Sequence, residues 1–144
     1  MAHSVTGREF ERIVQGFFKK EEGLDLTLPM ELQVGLGDRK RNHRFDLGSH
    51  SARVLVECKC HSWTLGGNSP SAKLSIWNEA MLFFLGAPKE FRKIFVVKRS
   101  LRGELSLALH YLEKYDHLVP EKVEIWEIEP RSREGRKVYP NAAL

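Results

Sequence analysis

With 144 residues, 42% of them apolar, the chain has the length of one domain with its own core, and its regular apolar periodicity excludes a disordered segment. A formal charge of +4, from 23 basic and 19 acidic residues, is too small to define a nucleic-acid binder, so the local placement of charge carries more information. No apolar run reaches the length of a membrane span and the N-terminus lacks the layout of a secretory signal, which predicts a cytoplasmic protein with no membrane partner.

Thr6 followed by Glu9 is a capping-box pattern, and Phe10, Ile13, Val14, Phe17 and Phe18 recur at helical spacing, predicting an amphipathic helix that ends near Gly23. Glu11 sits at the rim of its apolar stripe. Met30 to Leu36 alternates as a strand, with Gly35 and Gly37 as strand-end and turn residues; a lone G-x-G with no helix after it is weak evidence for a phosphate loop. A second strand is predicted over Arg44–Leu47, with Phe45 and Leu47 on one face and Asp46 on the other. After the turn "GSHS" comes a strand from Val54 to Cys60, and the two should pair as a hairpin.

"HSWTLGGNSP" reads as a loop, and Trp63 as a packing residue. A second helix is predicted from Ala72 to Leu85, with Ile76, Trp77, Ala80, Met81 and Phe84 on its core face and Lys73 one turn earlier at the rim. "KIFVV" (Lys93 to Val97) has the composition of a strand buried on both faces. Leu105, Ala108, Leu109 and Leu112 mark a third helix, "VEIWEIE" a last strand, and a polar tail follows from about residue 130. The predicted fold is α/β: a mixed central sheet flanked by helices, in one domain.

The chemistry is concentrated in "RVLVECKCHSW". Val54, Val56, Cys58 and Cys60 share one face at period two, and Glu57 and Lys59 share the other. Two charges in a strand that is otherwise core cost several kcal/mol unless compensated. Cys58, Cys60 and His61 supply at most three zinc ligands, with no second cluster to complete a tetrahedron, so buried apolar cysteines are expected instead. If the aliphatic faces of the two strands lie on one side, Asp46, Glu57 and Lys59 converge on the other. Two carboxylates there suit a hard divalent cation such as magnesium, and the lysine suits a phosphate or a metal-bound water. The plainer reading of Glu57 and Lys59 alone is a cross-strand ion pair on a solvated face. A basic cluster, Arg39, Lys40, Arg41, His43 and Arg44, occupies one short connection and suits phosphate contact.

"FDLGSHSARVLVECK" resembles the signature of the PD-(D/E)XK nuclease superfamily, an Asp followed by E-x-K on the next, mostly apolar strand. "GREFER" is similar to the first-helix motif of archaeal Holliday-junction resolvases in that superfamily, with Gly7, Glu11 and Arg12 at the matching spacing. The resemblance implies a restriction-endonuclease-like αβββαβ core, extended here by a C-terminal helix and strand. It implies metal ligands at Asp46, Glu57 and the backbone carbonyl of Cys58, a catalytic lysine at Lys59 and an auxiliary acid at Glu11. The expected cofactor is Mg2+, with Mn2+ able to substitute. The expected partner is DNA, contacted by Arg39, Lys40, Arg41, His43, Arg44 and Lys73, with products bearing 5′-phosphate and 3′-hydroxyl ends. A homodimer is expected, because duplex cleavage needs two sites. Junction-type and restriction or repair cleavage remain open, and the alternative is a catalytically inactive nuclease-fold module that binds DNA or protein.

Overall fold

Thr6 opens the first helix. Its hydroxyl accepts a bond from the Glu9 amide at 3.1 Å, and the Glu9 carboxylate accepts one from the Thr6 amide at 3.4 Å. Gly23, at φ 69°, closes this helix, α1 (Gly7–Glu22), in the left-handed conformation that glycine adopts without a Cβ clash. Burying its apolar face, Phe10, Ile13, Val14, Phe17 and Phe18, contributes about 1.5–3 kcal/mol per large side chain. The computed structural model describes residues 4–140 of the chain.

After α1 come β1 (Met30–Val34), β2 (Arg41–Phe45), β3 (Leu47–Ser49), β4 (Val54–Lys59), α2 (Ser71–Gly86) and β5 (Arg92–Lys98). A two-rung hairpin follows, β6 (Leu101–Arg102) and β7 (Leu105–Ser106), then α3 (Leu107–Tyr115), β8 (Val123–Ile128) and β9 (Gly135–Tyr139). The central sheet has the order β3-β4-β5-β8-β9. β4, β5 and β8 run parallel, while β3 and β9 are antiparallel edges. β1 and β2 form a separate antiparallel pair.

Alternation along the strands assigns the two faces. Val54, Val56, Ile94, Val96 and Ile128 pack under α1, whereas Leu55, Phe95, Val97 and Ile125 pack under α2 and α3, against Trp77, Phe84 and Tyr111. The "KIFVV" run is therefore covered on both faces, as its unbroken apolar composition requires. Gly48 lets the outer layer approach. A Cβ there would collide with the Met30 side chain and lie 2.7 Å from the Val54 carbonyl oxygen, and the Gly48 backbone exchanges bonds of 2.7 and 3.1 Å with Thr27.

Four sequence expectations are corrected. The segment predicted as one strand over Arg44–Leu47 is broken at Asp46: residues 41–45 pair with β1, and only Leu47–Ser49 pair with β4. Phe45 and Leu47 consequently enter opposite cores. Ile76 stays 39% exposed, and Leu74 takes its place on the buried stripe with Trp77, Ala80, Met81 and Phe84. The third helix begins at Leu107, capped by the Ser106 hydroxyl, which accepts from the Leu109 amide at 3.2 Å. The polar tail contains β9: Val138 is buried, and Arg136 and Lys137 mark an edge strand whose charges disguise it in the sequence. The last tail residues, 141–144, lie outside the described residues. Among the described residues no helix is long and apolar enough to cross a membrane.

Candidate active site

The break at Asp46 is built by two carboxylates. At the point where the β3–β4 ladder would continue, side chains replace main-chain partners: the Asp46 amide donates to Glu57 Oε1 at 3.1 Å, and the Cys58 amide donates to Asp46 Oδ2 at 2.8 Å. Each acid thus holds the other's strand. The N–H and C=O of one strand residue project to the same edge, so the Cys58 carbonyl also faces Asp46. Its thiol lies in the α1-side core, where burial first, and then Asp46, pushes its pKa up. The group of atoms around Asp46 therefore offers oxygen donors.

Lys59 Nζ lies 4.0 Å from Glu57 Oε2, and the Glu57 side chain is only 9% exposed. Asp46 is pushed up to about 7, chiefly by burial and then by Glu57; Glu11 adds to the rise, while the Cys58 amide and Lys59 oppose it. Glu11, reaching in from α1, lines one cavity of about 460 Å³ with Asp46, Arg8, Leu28, Pro29 and Arg44. The structure brings Asp46, Glu57 and Lys59 together, with Glu11 near enough to act on Asp46. Among the described residues no three Asp, Glu, His or Cys side chains are grouped closely enough to hold an ion by themselves. A cation at this position would draw on Asp46, Glu57, the Cys58 carbonyl and water, a donor set that fits a hard ion keeping several waters and does not fit zinc.

His43 belongs to this site more than to a basic surface. Its ring stacks on Phe83 at 3.7 Å between centroids and meets Phe45 edge-on. Its Nε2 is buried, has no hydrogen-bond partner among the described residues, and lies 3.8 Å from Glu57 Oε1. Arg44 points into the cavity with Asp46. Arg39, Lys40 and Arg41 sit instead at the far end of the β1–β2 hairpin; Arg41 is five residues from Asp46, about 17 Å along an extended chain. Lys40 is turned back onto the Gly35 carbonyl at 2.8 Å.

Lys73 is exposed at the start of α2 and acts on His61 together with Lys59 and Lys98. The pKa of His61 is lowered first by burial and then by these three lysines. Its Nδ1 accepts from Trp77 Nε1 at 2.8 Å, which leaves the imidazole neutral with its proton on Nε2. Trp63 is buried as a packing residue, its indole donating to the Ser100 carbonyl at 3.1 Å beneath the Arg102 guanidinium.

Two site residues escaped the sequence reading. Lys98 ends β5, one residue past Val97, the partner of Lys59 in the β4–β5 register, and it acts with Lys59 and Lys73 on His61. Arg8 stands three residues before Glu11, a spacing that puts both on one helix side, whereas Arg12 lines a different depression with Gln15, Lys19 and Asp25. No protein-family model matches the chain, and no curated protein and no solved structure matches it either.

The raised Asp46 pKa has a consequence for stability. Because its folded value of about 7 exceeds the ordinary 3.8, the fold favours the neutral acid, so stability falls as pH rises through that interval and stays low above it. Asp46→Asn, which keeps an acceptor for the Cys58 amide, is expected to raise Tm in metal-free buffer, and to raise it more at pH 8 than at pH 5. Thermal melts at the two pH values check this, and an equal or lower Tm at pH 8 would contradict the assigned electrostatics.

Proposed function

We propose that the protein is a magnesium-dependent endodeoxyribonuclease with a PD-(D/E)XK core. The observation that carries this reading is the reciprocal locking of Asp46 and Glu57 across a strand break, with Lys59 beside them. A buried acid, Glu57, set against a half-buried one, Asp46, whose charge it opposes persists at a site when something there uses their charge. The element order supports the reading as well: α1, β1, the interrupted β2–β3, β4, α2 and β5 follow an αβββαβ sequence when β2 and β3 are counted as one broken strand.

In this reading a bound divalent ion supplies Lewis acidity, lowers the pKa of water and screens the charge that grows on the phosphate. The protein does the rest. Asp46 and Glu57 fix the oxygens that receive the ion, and their backbone bonds hold both carboxylates before substrate arrives. Lys59 places a positive charge against the attacked phosphate and orients the attacking water. Glu11 orders solvent on the opposite wall of the cavity. Lys73 and Lys98 extend the positive surface along which a DNA backbone would track, a contribution independent of sequence. Junction-type or restriction and repair cleavage by a homodimer fits this arrangement equally well.

The test is incubation with supercoiled plasmid, linear duplex, single strand, four-way junction and RNA, with and without magnesium. Magnesium-dependent cutting of at least one DNA is the expected result. Salt-sensitive retention of DNA without cutting under magnesium or manganese would replace the enzyme by a binding module, and no retention of any nucleic acid would end both readings.

A further inference from the structure

Resting on the nuclease reading, we infer that Arg8 and Arg44 clamp one backbone phosphate of the bound DNA strand, next to the phosphate that is cut. Both line the cavity that opens on Asp46 and Glu11, and they come from unconnected parts of the chain, the first turn of α1 and the end of β2. Alternation along β2 separates Arg44 from its neighbour: His43 packs on Phe83, while Arg44 enters the cavity.

Neither guanidinium has an ion pair or hydrogen bond among the described residues, although two carboxylates share the cavity. The cation that acts on Asp46 is Lys59, and neither arginine contributes to its electrostatics. Two uncommitted forks thus face a space of about 460 Å³. A guanidinium binds phosphate oxygens through paired N–H groups, a geometry that an ammonium cannot reproduce. The positive end of α1 favours an anion at the same place, and Leu28 and Pro29 offer an apolar wall against which a sugar face can pack.

Binding of a fluorescent DNA duplex and a four-way junction, followed by anisotropy with calcium in place of magnesium, tests the clamp. Arg8→Ala and Arg44→Ala are each expected to weaken binding about tenfold and to reduce the salt slope by about one. Arg12→Ala, on the other surface, is expected to leave both unchanged, and Arg8→Lys to restore the slope but only part of the affinity. A duplex carrying one neutral methylphosphonate beside the cut should bind wild type and Arg8→Ala alike. The clamp is overturned if Arg8→Ala binds as wild type does, if Arg12→Ala loses as much, or if dAMP saturates the arginines with no strand retained. Plasmid cutting by the wild type is scored separately. Cutting together with an Arg8→Ala protein that binds normally removes the clamp alone, whereas no cutting and no binding removes the nuclease reading with it.

Discussion

Asp46→Asn is expected to reduce magnesium-dependent DNA cleavage by about 10²–10³-fold or more, the cost of removing a group that acts on charge developing in the reaction. The fold should persist, because the asparagine carbonyl can still accept from the Cys58 amide, as Asp46 Oδ2 does at 2.8 Å. Lys59→Ala should cost a similar factor for a different reason. It leaves both carboxylates in place and removes the positive charge 4.0 Å from Glu57 Oε2. The two variants therefore differ in what survives: Lys59→Ala keeps its oxygen donors, and Asp46→Asn loses one of them. Steady-state cleavage with circular dichroism and DNA retention measured on the same preparations checks this. Cutting by Asp46→Asn within a factor of about three of the wild type, far below the expected loss, would remove Asp46 from the chemistry.

Trp77→Ala is the substitution with the largest expected effect on stability. Trp77 is fully buried, meets Phe95 at 5.6 Å and Tyr111 at 5.1 Å between ring centroids, and donates to His61. Truncation to alanine costs about 3–5 kcal/mol through lost transfer energy and an unfilled cavity, which for a chain of this size lowers Tm by roughly 10 °C. It also frees His61 Nδ1, the acceptor that fixes the imidazole between Lys59, Lys73 and Lys98. Trp77→Phe keeps most of the volume and loses the hydrogen bond, so its cost should be clearly smaller. Thermal melts of the two variants measure the separation. An unchanged Tm for Trp77→Ala would contradict the packing of α2 on β5.

The elements legible in the sequence are those whose burial is decided by their own periodicity. Thr6 and Glu9 announce α1, and "KIFVV" announces a doubly covered strand, because neither pattern depends on distant residues. The alternation of Glu57 and Lys59 against Val56 and Cys58 was legible for the same reason. What escaped depends on partners. Phe45, Asp46 and Leu47 alternate as one strand would, yet the exchange of bonds between Asp46 and the Glu57–Cys58 segment breaks the ladder and sends Phe45 and Leu47 to opposite cores. β9 was hidden because an edge strand rich in Arg and Lys resembles a solvated tail until its register on β8 is known. Motif spacing picks out Arg12, but it does not say which arginine shares a side with Glu11; helix geometry gives that place to Arg8. Proximity in sequence groups His43 with Arg39–Arg41, yet the strand carries it two rungs beyond Arg41, to Glu57.

The most direct measurement is manganese binding followed by electron paramagnetic resonance at pH 8, since Mn2+ reports a hard-oxygen site without requiring turnover. Specific uptake by the wild type and by Lys59→Ala, lost in Asp46→Asn and in Glu57→Gln, is the predicted result. Equal uptake by the wild type and Asp46→Asn, or none by the wild type, would contradict a cation site between the two locked carboxylates.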